Sequence, residues 1–237
     1  MNPNTPRQTV AEPQEIHIEL PGAHLEGALT VPGGAKGIVL FAHGSGSSRH
    51  SPRNRYVAEV LQRAGLGTLL MDLLTREEEA IDQYTRQYRF DIGLLADRLT
   101  GAIDWLANHP ATRGLPIGLF GASTGAAAAL RAAAGRPDLV HVVVSRGGRP
   151  DLAGDALEHV QAPTLLILGS KDTPVIPLNE SAQRRLRVPS QLVLVPGATH
   201  LFEEPGTLAQ ASSLARDWFL QHLASERSDA TTSLHSD

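Results

Sequence analysis

The stretch Gly121-Ala122-Ser123-Thr124-Gly125 (GASTG) follows directly on an apolar run, 117–120, and decides the fold of this 237-residue chain. The apolar run predicts a buried strand, and the small residues predict a sharp turn into a helix over 123–134. In a G-x-S-x-G turn the serine is raised above the end of a sheet, and the glycines leave room for a neighbouring strand or helix. The pentapeptide by itself also fits an ordinary turn rich in small residues, so the rest of the chain decides between the two interpretations.

The segments on both sides of this turn alternate between strand and helix patterns. An opening hairpin is followed by buried strands, so that strands are predicted at 15–20, 25–31, 37–42, 67–72, 116–120, 140–144, 164–168 and 191–195. Helical spacing occurs at 56–64, 91–108, 123–134, 178–187 and 206–223, and more weakly at 149–159. This order predicts an α/β fold, a mostly parallel sheet with helices on both faces. Ligands of such sheets bind at the edge where the parallel strands end.

Three side chains of complementary chemistry follow three of these predicted strands. Ser123 follows the strand at 116–120, Asp172 lies in the GSKD run after 164–168, and His200 lies in the GATH run after 191–195. The order serine, acid, histidine is the one expected for a catalytic triad on this architecture. His200 would take the hydroxyl proton of Ser123, and Asp172 would bond the other ring nitrogen.

Asp172 and His200 also have non-catalytic interpretations. Asp172 could form a turn or cap a helix, and His200 could be a hydrogen-bonded loop histidine. Asp151 and Asp155 are rival acids after the preceding strand, although the spacing favours Asp172.

A second small-residue loop, His43-Gly44-Ser45-Gly46, follows the predicted strand at 37–42. It predicts an oxyanion hole made by the backbone N–H groups of Ser45 and Thr124, and such a donor contributes about 3–4 kcal/mol to a transition state. The alternative is a flexible loop of glycine and serine. His43 is a candidate substrate contact because it stands at the start of this loop.

Arginines in the edge loops are further candidates for substrate binding. Arg146 and Arg149, in the run SRGGRP, could hold a substrate carboxylate with a planar guanidinium. The alternative is solvation of the loops or pairing with acidic residues of the charged segment 73–90.

Composition excludes several classes of protein. A net charge of −4 argues against a nucleic-acid partner. The chain has no cysteine, and it shows neither a metal-binding motif nor a P-loop, so we expect no metal and no cofactor. Neither a signal peptide nor a membrane-spanning stretch is visible, which predicts a cytoplasmic protein that is not bound to membranes. The domain prediction is a flexible arm at 1–14, one domain at 15–223 and a disordered tail at 224–237.

The runs HGSG (43–46), GASTG (121–125), GSKD (169–172) and GATH (197–200) together resemble the α/β-hydrolase superfamily, over about 15–223. The layout is similar to its dienelactone-hydrolase-like branch. The resemblance implies an eight-stranded sheet, a triad of Ser123, Asp172 and His200, and oxyanion donors at Ser45 and Thr124. A cap domain of this superfamily usually enters after the sixth strand, and 145–163 is too short for one. The resemblance fails at one point, since dienelactone hydrolases proper use a cysteine nucleophile.

These observations predict a serine hydrolase that cleaves small carboxylic esters through an acyl-enzyme intermediate. A thioesterase or peptidase on the same triad is an alternative, and so is a non-catalytic binding protein that kept the fold. The charged segment 73–90 predicts a solvated flap rather than an apolar lid, and therefore an open site for short acyl chains. The sequence leaves open whether the protein is a monomer or a homodimer.

Overall fold

The computed structural model describes residues 11–223. Residues 1–10 of the predicted N-terminal arm lie outside this range, whereas Gln14, its last residue, begins the first strand. The predicted C-terminal tail, 224–237, lies wholly outside the described residues.

An eight-stranded sheet forms the centre of the molecule. The strands are β1 Gln14–Leu20, β2 Ala23–Thr30, β3 Ile38–Ala42, β4 Gly67–Met71, β5 Ile117–Ala122, β6 Val140–Arg146, β7 Thr164–Gly169 and β8 Ser190–Val195. Their order across the sheet is β1-β2-β4-β3-β5-β6-β7-β8. The strand β2 pairs antiparallel with β1 and with β4, and the remaining pairs are parallel. The predicted α/β-hydrolase fold with eight strands is confirmed, and residues 11–223 include no separate cap.

Helices cover both faces of the sheet. They are α1 Pro52–Arg63, α2 Arg76–Thr85, α3 Ile92–Asn108, α4 Thr124–Gly135, α5 Ile176–Arg185 and α6 Thr207–Leu223, with a 3₁₀ segment at Pro150–His159 that is kinked at Gly154. The helices α1 and α6 contact each other on one face, whereas α3 and α4 pack together on the other. Side chains of β3 alternate between the two layers, because Val39 and Phe41 join the α1/α6 core while Leu40 joins the opposite core.

Two helix predictions differ from the structure at their boundaries. Helix α1 begins at Pro52 rather than at residue 56, because the Ser51 hydroxyl caps the helix by accepting the N–H of Asn54. The weak helical stretch predicted after β6 is a 3₁₀ segment, and its kink at Gly154 has a positive φ of 61°.

The segment 73–90, predicted as a solvated flap, is exposed over most of its length and contains the helix α2. Thr75 and Glu78 form a reciprocal capping box at its start. Asp82 is buried, and it accepts hydrogen bonds from the Arg89 guanidinium and from the N–H of Tyr88. Burial raises the pKa of Asp82, but the hydrogen bonds from Arg89 outweigh that effect and hold the pKa below its ordinary value.

The flap also exposes apolar side chains, although its sequence is charged. Ile81, Tyr84 and Phe90 are 45%, 89% and 56% exposed. Two of its acidic residues are paired within the fold, Glu78 with Arg98 of α3 at 2.7 Å and Asp82 with Arg89. Among residues 11–223, no helix has the length and apolar character needed to cross a bilayer.

Replacement of Phe219 by alanine is expected to destabilise the fold by about 3–5 kcal/mol, because its ring is fully buried between α6 and β5. The ring lies directly over Gly118, where an added Cβ would come within 2.7 Å of Phe219 Cε1. Urea unfolding measures the change. The matched control is Phe90→Ala, which removes an exposed ring of the same size and should shift stability by less than about 0.5 kcal/mol. Equal losses in the two variants would contradict the assignment of the core.

Candidate active site

Ser123 occupies a strained turn between β5 and α4. Its φ is 51° and its ψ is −124°, a conformation that non-glycine residues rarely adopt. Both glycines of the motif are required by close packing. A Cβ on Gly121 would lie 2.4 Å from Ala126 Cα, and one on Gly125 would lie 2.3 Å from the carbonyl oxygen of Ala42. The turn therefore has the strained strand-to-helix geometry that the G-x-S-x-G pattern predicts.

Two neighbouring loops contact Ser123. A Cβ on Gly44 would lie 3.0 Å from Ser123 Cβ and 3.7 Å from its Oγ, so the loop after β3 passes beside the hydroxyl. On the other side, the Ser123 N–H donates to the Arg146 carbonyl at 3.3 Å, and the Arg149 N–H donates to the Ser123 carbonyl at 3.1 Å. The backbone of Ser123 is thus fixed by the loop that follows β6.

His200 and Asp172 form a direct pair. His200 Nδ1 lies 2.7 Å from Asp172 Oδ2. An ionised carboxylate only accepts hydrogen bonds, so Nδ1 carries the proton, and in the neutral ring Nε2 is left as the acceptor. The side chain of Asp172 is 10% exposed whereas that of His200 is 39% exposed, so the acid is screened from solvent and the histidine is accessible.

The loops that carry the acid and the histidine are bonded to each other. Lys171 N–H donates to the Ala198 carbonyl at 2.9 Å, and Gly197 N–H donates to Ser170 Oγ at 2.9 Å. The loops also approach closely at Gly169, where an added Cβ would lie 2.3 Å from the Ala198 carbonyl oxygen. These contacts fix Asp172 against His200.

Gly147 connects the pair to the nucleophile. An added Cβ there would lie 3.1 Å from the His200 carbonyl oxygen and 3.6 Å from its Nδ1. Because the adjoining residue Arg146 bonds the backbone of Ser123, the loop after β6 contacts both Ser123 and His200. The structure therefore brings Ser123, Asp172 and His200 to the same edge of the sheet.

The two predicted oxyanion donors lie side by side, but one of them already has an acceptor. The N–H of Ser45 donates to the hydroxyl oxygen of Thr124 at 3.0 Å. Thr124 is the first residue of α4, where backbone N–H groups have no partner within the helix.

His43 is a structural residue, which differs from the predicted substrate contact. Its Nδ1 lies 2.9 Å from the carbonyl oxygen of Gly44, and its Nε2 accepts the N–H of Leu73 at 3.1 Å. Burial lowers the pKa of His43, so the ring is neutral, and both nitrogens are occupied. The ring therefore ties the loop after β3 to the segment after β4.

Arg149, also predicted to contact substrate, is engaged by a neighbour. Its Nε and Nη2 donate to the two carboxylate oxygens of Asp151 at 2.9 Å and 2.7 Å. Asp151 is thereby removed as a rival to Asp172. The other rival, Asp155, pairs with Arg185 at 2.8 Å.

Arg146 is buried below the edge of the sheet rather than directed into an open site. Its side chain is 7% exposed and joins the α1/α6 layer, because it stands on the same face of β6 as Val142 and Val144. Burial, with the nearby charge of Arg53, lowers the pKa of Arg146 to about 10, so the guanidinium stays charged at neutral pH. The guanidinium is therefore largely screened from the solvent through which a substrate carboxylate would enter.

Cavities of different sizes lie beside the loop after β3. One measures about 10 Å³ and is lined by residues that include Ser45 and Leu74. Another measures about 260 Å³ and is lined mainly by charged and polar side chains. A groove of about 550 Å³ lies elsewhere, between the hairpin and α1, and it is not lined by Ser123, Asp172 or His200. Within residues 11–223, no three or more histidine and carboxylate side chains are grouped as a metal site would need.

Comparison with known proteins assigns the family. The model of the family described as "Dienelactone hydrolase family" matches residues 25–223. The chain belongs to the dienelactone hydrolase family. It is consequently a member of a family of hydrolases with the α/β fold.

Two solved structures resemble this chain, one in sequence and fold and the other in fold alone. A dienelactone hydrolase from Anabaena variabilis, known as a crystal structure, is 62% identical, with a TM-score of 0.87 over 89% of this chain and 99% of its own. Est1E from Butyrivibrio proteoclasticus has a TM-score of 0.74 over 89% of this chain and 99% of its own, but at 16% identity it shows the fold alone.

Two Mycobacterium tuberculosis proteins, provisionally named phosphoribosyl transferases, are 59% identical over 210 residues, which is 89% of this chain and 46% of theirs. This dienelactone hydrolase family member therefore spans about half the length of these curated relatives. This name was given to proteins about twice as long as this chain. It therefore does not identify a reaction for the part that contains Ser123.

Substitution of Gly125 by alanine is expected to disrupt the elbow. The new Cβ would lie 2.3 Å from the carbonyl oxygen of Ala42 and 2.5 Å from that of His43. These are backbone atoms, which cannot move aside as the end of a flexible side chain can. Overpacking of this kind costs about 1–3 kcal/mol or more, so the melting temperature by circular dichroism should fall. Gly135→Ala, at the other end of α4 with no heavy atom within 4 Å, is the matched control and should be neutral or slightly stabilising. Equal melting temperatures for the two variants would contradict the close approach.

Proposed function

We propose that this protein is a serine carboxylesterase, which cleaves small carboxylic esters through an acyl-enzyme intermediate. The observation that carries the proposal is the 2.7 Å contact between His200 Nδ1 and Asp172 Oδ2, at the edge of the sheet where Ser123 stands on its strained turn. A serine hydroxyl needs such a base to become an effective nucleophile.

In the first half-reaction, Ser123 Oγ attacks the ester carbonyl carbon while its proton passes to His200 Nε2. The carbonyl oxygen becomes an oxyanion, which would accept the N–H of Thr124 at the positive end of α4. Ser45 can act as the second donor only if its N–H leaves or shares the Thr124 hydroxyl oxygen that it now bonds. Asp172 stabilises the imidazolium that forms at His200.

The tetrahedral intermediate then collapses. The bond between the carbonyl carbon and the alcohol oxygen breaks, the alcohol leaves with the proton from His200, and an acyl ester of Ser123 remains. In the second half-reaction, His200 takes a proton from water, the resulting nucleophile attacks the acyl carbon, and Ser123 Oγ leaves with that proton. The carboxylic acid is the second product.

The natural ester of this family member is not expected to be a dienelactone. Dienelactone hydrolases proper use a cysteine nucleophile, and Ser123 stands in the corresponding position of this chain. A serine supports ordinary ester chemistry when a histidine accepts its proton, and the bond from His200 Nδ1 to Asp172 directs the other ring nitrogen, Nε2, to that role.

Replacement of Ser123 by alanine is expected to lower kcat for p-nitrophenyl acetate by more than about 10³-fold, because the attacking oxygen is lost. Ser213→Ala on α6 is the matched control, and it should retain wild-type turnover. If Ser123→Ala hydrolyses the ester as fast as the wild type, the nucleophile assignment is wrong.

The alternative functions differ from a carboxylesterase either in the bond that they cleave or in having no catalytic activity. An acetyl thioester and a peptide p-nitroanilide, assayed beside the oxygen ester, separate a thioesterase or peptidase from a carboxylesterase. A fluorophosphonate probe should label Ser123 in all three cases, whereas a non-catalytic binding protein with this fold would remain unlabelled.

Acetate and butyrate p-nitrophenyl esters are expected to be hydrolysed with a higher kcat/KM than the octanoate ester. Of the cavities beside the loop after β3, the one of about 10 Å³ has room for about one water molecule, and the one of about 260 Å³ is lined mainly by charged and polar side chains. Neither offers an apolar enclosure for a long acyl chain. Initial rates below the micelle concentration of each ester measure the profile. A preference that rises from acetate to octanoate would mean that the exposed apolar side chains of the flap bind the chain, contrary to this expectation.

A further inference from the structure

Arg146 contacts three segments that build the candidate site. Its carbonyl oxygen accepts the N–H of Ser123 at 3.3 Å. Its Nη2 donates to Asn54 Oδ1 at 3.3 Å, in the first turn of the helix that follows the oxyanion loop. Its guanidinium carbon lies 5.9 Å from the centre of the Phe202 ring, in the loop that carries His200.

The charge of Arg146 is buried without a carboxylate partner among residues 11–223. Its Nη1 is enclosed and has no hydrogen-bond partner in that range. The Phe120 ring, 5.8 Å away, and the Phe202 ring face the guanidinium instead. Aromatic faces attract a cation, but a buried charge normally requires a counter-charge as well. An arginine is therefore a costly residue at this position unless its shape and charge are needed there.

Phe202 is held in a conformation that its own backbone does not favour. Its φ is 56°, while its ring is 2% exposed and packs on Arg146. Such strain persists only where the surroundings enforce it. Phe202 lies two residues after His200, and its N–H donates to the Thr199 carbonyl at 3.3 Å, so the ring and the tight turn together fix the path of the histidine loop.

We propose that Arg146 is a positioning residue, which holds Phe202, and through it His200, in place relative to Ser123. The guanidinium is the common support for the histidine loop and for the start of α1, while the backbone of the same residue fixes Ser123. This inference rests on the proposed esterase function for its kinetic test, but the position of His200 can be measured without any substrate.

The kinetic test compares Arg146→Met with Arg146→Lys. Methionine keeps a long apolar stem and removes both the charge and the planar fork, whereas lysine keeps a cation between the two rings. We expect kcat for p-nitrophenyl acetate to fall about tenfold to 100-fold in Arg146→Met, because small displacements of a catalytic group have effects of that size. Arg146→Lys should retain more activity, and KM for this neutral ester should change little in either variant. Arg187→Met, at a position 74% exposed, is the matched control and should match the wild type.

A double-mutant cycle tests whether Arg146 acts through Phe202. Phe202→Leu removes the aromatic face, so the combined variant Arg146→Met/Phe202→Leu should lose little more activity than the worse single variant. Independent multiplication of the two losses would mean that Arg146 does not act through this ring.

A substrate-free signature comes from proton NMR of the His200 Nδ1–H, the far-downfield signal of a histidine bonded to a carboxylate. It should shift or broaden in Arg146→Met and be partly restored in Arg146→Lys, while Arg187→Met leaves it unchanged. If the wild type hydrolyses no ester, the esterase proposal fails, and this signal still decides the role of Arg146. An unchanged signal together with unchanged kcat in folded Arg146→Met would overturn the proposal, as would a rise in KM limited to anionic esters.

Discussion

The close approach of α4 to the end of β3 is the constraint on which the candidate site depends. A side chain at Gly125 would collide with two carbonyl oxygens, those of Ala42 and His43, so the first turn of the helix rests directly on the backbone of the strand. This contact fixes where α4 begins, and the chain can reach that point from β5 only through the strained φ of Ser123. The same contact places the loop 43–46 beside the hydroxyl of Ser123.

The sequence of α4 makes this approach possible. The helix reads TGAAAALRAAAG, and six of its alanines, with Leu130, are buried. Alanine favours the helix and leaves no bulk between α4 and its neighbours α3 and β5. The strain at Ser123, about 1–3 kcal/mol for such a conformation, is offset by the burial of this small-residue face rather than by bonds at the site itself.

The sequence predicts the parts of the molecule whose structure depends on the local pattern of apolar and polar residues. The hairpin strands follow from alternating apolar and polar residues and the later strands mainly from apolar runs, and Ser123, Asp172 and His200 are found because each follows a predicted strand. Helix α2 was missed because it buries only Asp82 and has no apolar stripe, although the pattern Thr75-x-x-Glu78 is a start signal. The different environments of Arg146 and Arg149 depend on tertiary packing, yet counting in twos from Val142 would have placed Arg146 on the α1/α6 face.

Two residues with strained backbone conformations connect Arg146 to the candidate site. Among residues 11–223, the non-glycine residues with positive φ are Arg86, Ser123 and Phe202. Arg86 ends α2 as an ordinary left-handed cap, whereas the other two both contact Arg146, one through its backbone N–H and one through its ring. Two strained backbones therefore meet at a buried cation that has no carboxylate partner within the described part of the chain. An apolar side chain there would be easier to bury, so stability alone does not account for the arginine. The strained backbones and the buried charge together hold the loop of His200 in place relative to Ser123.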